Sequence, residues 1–263
     1  MTSQERAFSF LKSPPLTEKP RRRGLLIASD RAIPLTLQRA YLEEHSQVID
    51  KVKFVDHAGL VARYSEEWFK RKLDLYREYG IEVLIGGISF EIAMLQNKAS
   101  EYFRRVKQIG FAGLEISDDV IPPMTRAQRA TLVKEVHQLG LEPFTEVGRK
   151  YPDKPLDVRE TVETIQSDLE AGASKVTIEG AEILNFMKEG PDRLLQIVGQ
   201  AGMDNLIFEV GRPELDIEVL VWLFNTLGPE VNVENFELQQ CVLVSAVKSG
   251  IHGSIGYKFL TQE

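Results

Sequence analysis

This 263-residue chain is poor in cysteine and histidine, and its 32 Lys and Arg are outnumbered by 39 Asp and Glu. Its single thiol, Cys241, excludes an internal disulfide, and the setting FELQQCVLVSAVKSG places it on the apolar side of a helix. The histidines His45, His57, His137 and His252 have no ligand spacing, which argues against zinc. No window approaches the ~18 apolar residues of a membrane span. The opening MTSQERAFSFLKSPP lacks the basic start and apolar stretch of a signal peptide, so a cytoplasmic protein is expected. A net charge of −7 and a pI near 5.4 argue against a nucleic-acid binder, which neutralises phosphates with a basic face. A small anionic substrate would therefore need its own local cations. Also missing is a G-x-G-x-x-G after the first apolar run, where the chain reads DRAIPL. That counts against a doubly wound dinucleotide fold.

What is present is a large apolar fraction, 43% of residues, enough for one big α/β core or two ordinary domains. Residues 1–23, with SPPLTEKPRRRG, have prolines and charge but no period. They read as an N-terminal arm whose Arg21, Arg22 and Arg23 form a solvated charge run. From Gly24 to Glu263 one unit recurs: a helix that closes on glycine, followed at once by an apolar strand. The closing residues are Gly80, Gly110, Gly140, Gly172, Gly202 and Gly228, 26 to 32 residues apart. Two earlier strands, GLLIAS and KVKFV, flank a helical LTLQRAYLEEHS. Eight strands alternating with helices in this length predict a closed (β/α)₈ barrel, a TIM-type fold, as a single domain over 24–263.

In such barrels the chemistry sits at the carboxyl ends of the strands. Here those ends carry Asp30, then Glu115 with Ser117 and Asp118, then Glu146, Glu179, Glu209 and Glu234. Alternation along the fourth and sixth strands turns Glu115, Ser117, Thr177 and Glu179 toward the interior. Any one glutamate could merely meet solvent or pair with a lysine. A whole ring of them needs a cation, and a hard divalent ion, Mg²⁺, held by Glu115, Glu146, Glu179 and Glu209 is the simplest expectation.

Six stretches in order, EVLIGGISFEIA, GFAGLEISD, TEVGRKYPDK, DLEAGASKVTIEG, LIFEV and GPEVNVEN, make the chain similar to the phosphosulfolactate synthase family over about residues 19–253. That resemblance implies a (β/α)₈ barrel and Mg²⁺-dependent addition of sulfite to phosphoenolpyruvate, a carbon–sulfur lyase step on a route to coenzyme M. It implies a proton donor at Lys150, with Lys53 and Arg149 beside it as catalytic cations. Asp30, Arg31, Ser117 and Arg212 are expected to bind substrate. A lowered pKa is expected for Lys150, from neighbouring cations and partial burial.

The chain departs from the family pattern at three places. Arg31 stands for a lysine, VDHAG replaces a glycine-rich turn after the second strand, and Ala181 occupies the place of an anion-binding arginine. Besides sulfite addition, or addition of a related small nucleophile to a changed enol acid, two readings stay open. One is a Schiff-base aldolase using Lys53 or Lys175; the other is a non-catalytic, stress-associated relative. Assembly into a homo-oligomer is also left open.

Overall fold

In the computed structural model, residues 7–14, 18–55, 59–211 and 216–260 are described. Eight parallel strands close on themselves in sequence order, β1 pairing with both β2 and β8. They are β1 (Leu26–Asp30), β2 (Lys51–Phe54), β3 (Glu82–Ile85), β4 (Gly113–Ile116), β5 (Glu142–Val147), β6 (Lys175–Ile178), β7 (Leu206–Glu209) and β8 (Val233–Glu237). Around them run α1 (Leu35–His45), α2 (Leu60–Arg63), α3 (Glu66–Glu78), α4 (Gly87–Leu95), α5 (Ala99–Ile109), α6 (Arg126–Gln138), α7 (Val158–Ala171), α8 (Gly180–Glu189), α9 (Asp192–Ala201), α10 (Ile217–Leu227) and α11 (Cys241–Lys248). This is the expected (β/α)₈ barrel.

Local chemistry sets the helix ends. Thr125 and Gln128 cap α6 reciprocally, and the Asp157 carboxylate accepts from the Glu160 amide to start α7. All six glycines that were expected to close helices have positive φ. At Gly202 and Gly228 ψ is extended, so the helix stops there; after Gly202 a short 3-10 turn, Met203–Asn205, then leads into β7.

Two apolar layers result. The larger packs the helices on the outer face of the barrel; the smaller, Leu25, Ile27, Leu84, Phe144 and Ile207, plugs the interior. Above that plug, at the carboxyl ends of the strands, the interior turns polar. Below it, Lys51 bridges Glu82 at 2.5 Å and Glu142 at 2.7 Å. The basic run before β1 is not simply solvated. Arg21 is nearly buried, its Nε 2.8 Å from Asp50, and Asp50 in turn accepts from the Leu26 amide. Arg21 thereby ties the end of the arm to the start of the barrel, a contact that short basic runs give no sequence signal for.

Candidate active site

Because side chains alternate along a strand, Lys53, Glu115, Glu146, Thr177, Glu209 and Glu234 all point inward above the apolar plug, in the neighbouring registers of β2, β4, β5, β6, β7 and β8. Lys53 is at the centre. Its Nζ stands 2.9 Å from Glu115 and 2.7 Å from Glu234, all three side chains being almost wholly buried. Burial alone would lower the ammonium pKa. The charges of Glu115, Glu234, Glu209 and Glu146 outweigh it and hold the pKa well above the usual lysine value. A lysine kept charged in this way is a poor Schiff-base nucleophile. Lys175 opens β6 at the opposite end of the barrel and donates to the Asp204 carbonyl. Neither lysine suits the aldolase reading.

The other carboxyls divide by their partners. Glu115 has both oxygens engaged, one with Lys53 and one with the Gly87 amide at 3.0 Å, so it organises the site rather than offering itself as an open ligand. Burial pushes the Glu234 carboxyl up to about 7, the Lys53 ammonium working against it. Glu146 is held well above the usual carboxylate range by burial and then by the charges of Glu115, Glu209 and Glu179. Glu179 is pushed up to about 9 by burial and by the neighbouring Glu209 charge. It therefore keeps its proton and donates it to Glu209. Burial would raise Glu209 as well, but that hydrogen bond, Lys53, a hydrogen bond from Asn235 and Lys150 keep it ionised and below its usual value. The second Glu179 oxygen accepts from the Gly180 amide at 2.7 Å.

Lys150 reaches the same mouth from the loop after β5. Its Nζ is 2.9 Å from Asp119, and its backbone amide donates to the other oxygen of the same carboxylate. The lowered pKa expected for it is corrected. Burial acts in that direction, but the hydrogen bond and charge of Asp119, with Glu209 and Glu179, raise it. Gly148, two residues earlier, has φ 105°, and a Cβ there would lie 2.7 Å from Glu182 Cγ and 3.0 Å from Glu179 Cβ. The turn that delivers Lys150 thus needs glycine both for its conformation and for its closeness to Glu179.

Four expected site residues stand elsewhere or are engaged elsewhere. Asp30 faces outward, because Ile27 and Ser29 take the inward positions of β1; its carboxylate holds Lys72 at 2.6 Å, Tyr76 at 2.8 Å and the Ile33 amide at 3.0 Å. It joins β1 to α3. Arg31, one residue past β1, pairs with Glu237 at 3.8 Å. Arg149 donates to the Ile121 carbonyl at 3.0 Å, stitching the loop after β5 to the loop after β4. Ser117 lines the mouth, but its hydroxyl donates to Glu91. Arg212 lies outside the described residues.

Three residues that sequence reasoning did not single out complete the arrangement. Asp119 holds Lys150. Glu91, on α4, accepts from Ser117 Oγ, from the Asp119 amide at 2.9 Å and from the Val120 amide at 3.0 Å, fixing the loop that carries Asp119. Asn235 follows Glu234 on β8. For Asp119 the neighbouring Asp118 was a decoy, since it pairs with Arg129 at 3.3 Å and caps the Met124 amide.

The metal expectation can be tested against this geometry. Among the described residues no group of three or more His, Cys, Asp or Glu side chains is arranged to hold a metal ion. Mg²⁺, however, asks for only one or two carboxylates and takes the rest from water and substrate. Glu179 and Glu209 share a proton where a cation could bridge them, with Glu146 alongside. These hard oxygens fit the ion in kind, whereas both Glu115 oxygens are engaged by Lys53 and the Gly87 amide.

Comparison with known proteins agrees over most of the chain. The family model described as (2R)-phospho-3-sulfolactate synthase (ComA) matches residues 14–254. The phosphosulfolactate synthase of Methanothermobacter thermautotrophicus is 29% identical over 256 residues, covering 94% of this chain and 96% of that one. The protein of the same name from Methanocaldococcus jannaschii is 30% identical over 240 residues, covering 88% and 93%. The one from Bacillus subtilis is 29% identical over 252 residues, covering 92% and 95%. Among solved structures, the 4-hydroxy-tetrahydrodipicolinate synthase of Methylacidiphilum fumariolicum SolV superposes with a TM-score of 0.58 at 11% identity, over 90% of this chain and 75% of that one. That likeness bears on the fold alone.

Proposed function

Since the chain belongs to the (2R)-phospho-3-sulfolactate synthase family, we propose that its barrel mouth catalyses the Mg²⁺-dependent addition of sulfite to phosphoenolpyruvate, giving phosphosulfolactate. As a member of that family the chain is an enzyme of the lyase type. The sulfur lone pair of sulfite forms a bond to the methylene carbon. The double-bond electrons move to the neighbouring carbon and into its carboxylate, and a proton delivered to that carbon completes the product. No oxidant or reductant is consumed.

The placement of Lys150 carries this reading. It is an ammonium at the mouth, fixed at both its amide and its Nζ by one aspartate, beside Glu179 and Glu209. A high pKa makes it a weak acid toward water. The carbon it would protonate, bearing the charge of a carboxylate dianion, is basic enough to take the proton, and the lysine is in its acid form at every physiological pH. Glu179 and Glu209 would hold the divalent ion, with Glu146 adjacent, and the ion would supply charge stabilisation for the developing dianion. Lys53 cannot take over the donor role while two carboxylates hold it; it keeps Glu115 and Glu234 buried and aligned. Arg149 steadies the loop.

Phosphate recognition is where this chain departs furthest from the family pattern, because Ala181 is buried at the start of α8 and brings no cation there. Arg212 is proposed to supply it. The test is loss of phosphoenolpyruvate on adding sulfite and Mg²⁺, with deuterium entering the carbon next to the carboxylate in D₂O. Turnover of an unphosphorylated enol acid in preference would assign a changed substrate. Absence of turnover, with no Mg²⁺-dependent binding of phosphoenolpyruvate, would favour the non-catalytic reading. No helix among the described residues is long and apolar enough to cross a membrane, and a cytoplasmic location is proposed with the activity.

A further inference from the structure

We propose that Asn235 supplies a third oxygen donor to the divalent ion, beside Glu179 and Glu209; the inference rests on the Mg²⁺ reading above. Its placement is unusual for a strand residue. Between β1 and β8 the register advances from Ile27↔Glu234 to Ala28↔Phe236, so Asn235 is the extra residue of a bulge. Its φ is +67°, a left-handed conformation that asparagine tolerates better than most side chains. The bulge directs two successive side chains, Glu234 and Asn235, to one mouth. The neighbouring strand makes room for it: a Cβ on Gly211 would lie 1.8 Å from the Asn235 carbonyl oxygen.

The side chain is only 7% exposed and lines the cavity that Glu146, Glu209, Lys53 and Lys150 also line. Its amide donates to Glu209. Its Oδ1 is buried and has no hydrogen-bond partner among the described residues. A buried acceptor calls for a donor or a cation. The nearby ammoniums are engaged, Lys53 by Glu115 and Glu234, Lys150 by Asp119. The carboxylate and phosphate of an enol-phosphate acid are acceptors, as is sulfite, so the substrates' anionic groups offer Oδ1 nothing. A hard cation does. A neutral amide oxygen also adds a ligand without adding to the repulsion among the glutamates. The histidine, cysteine and carboxylate chemistry by which metal sites are usually recognised does not include such a residue.

Mn²⁺ is the probe, with its binding followed by the electron paramagnetic resonance of the free ion. Asn235→Gly keeps the left-handed backbone and removes the amide; Asn235→Asp keeps an oxygen and removes the N–H that Glu209 accepts. The expected result is binding weakened roughly 10- to 100-fold in Asn235→Gly and recovered in Asn235→Asp. Wild-type affinity in Asn235→Gly would overturn the inference and leave the Mg²⁺ reading standing. Equal weakness in both variants would overturn it too, reducing Asn235 to a residue that only orients Glu209. No Mn²⁺ binding by the wild type would sink the metal reading itself, and the inference with it. If Asn235→Asp does not fold, the spin-echo modulation from the amide nitrogen decides: present on Mn²⁺ bound to the wild type and lost in Asn235→Gly supports ligation, and its absence from the wild type refutes it.

Discussion

The two ends of the barrel use the same residue types to opposite ends. Below the apolar plug, Lys51 sits between Glu82 and Glu142, whose side chains remain 64% and 33% exposed. Water shares the cost of those charges. Above the plug, Glu115, Glu146, Glu179, Glu209, Glu234 and Asp119 crowd around Lys53 and Lys150, and all but Lys150 are buried. There burial and the neighbouring Glu209 charge push Glu179 up to about 9. Buried carboxyls held away from their ordinary pKa values cluster at functional sites. Charge at the floor holds the fold, and charge at the mouth is poised for a ligand.

Four perturbations break or sharpen that contrast. The largest effect is expected from Lys150→Ala, which should cut turnover roughly 10²- to 10⁴-fold with little change in KM. The sulfite-dependent loss of phosphoenolpyruvate measures it, and Arg149→Ala in the same assay should lose much less. Full turnover in Lys150→Ala would return the loop to a plain strand end.

Next, Lys53→Met leaves Glu115 and Glu234 buried without their cation, and should destabilise the protein by about 3–5 kcal/mol in urea unfolding at pH 8. A loss below about 1 kcal/mol would mean that the mouth tolerates bare carboxylates and needs no cation at all.

Glu179→Gln comes third, and its sign depends on metal. In EDTA the folded wild type holds the Glu179 proton up to about 9 while the unfolded chain releases it near 4.5. Wild-type stability therefore falls as pH rises between those values. Glutamine, which still donates to Glu209, should escape that loss, so thermal scans should show the variant gaining on the wild type from pH 5 to 9. With Mg²⁺ present the advantage should reverse, since ligand binding to the native state stabilises it. A constant difference across the range would remove Glu179 from the proton-sharing pair.

Smallest is Lys51→Ala at the floor, expected to cost about 1 kcal/mol or less and nothing in turnover. A cost equal to that of Lys53→Met would erase the distinction between the two ends.

The repeating helix–glycine–strand unit made the barrel legible, because the left-handed helix closure and the apolar strand are both local and both leave their mark within a few residues. Rim glutamates were legible for the same reason: each ends an apolar run. Asp30 ends one too, yet it faces α3. Alternation, which placed Glu115 and Glu179 correctly, puts Asp30 on the outward side once Ile27 is known to belong to the plug. Asp119 and Glu91 lie in stretches whose residues have no shared period with Lys150, and only folding brings them within hydrogen-bond reach.

By itself, then, the sequence determined an eight-fold barrel whose strand ends carry carboxylates, with a lysine after the fifth strand, since periodicity and helix closure depend on near neighbours. Tertiary structure decided which carboxylates pair with Lys53, which pair shares a proton and which aspartate grips Lys150. It also decided that a bulge would turn Asn235 inward beside Glu234. Those outcomes depend on inter-strand register and on distances across the barrel, and electrostatics in a buried site changes sign with which charge happens to stand within a few ångströms.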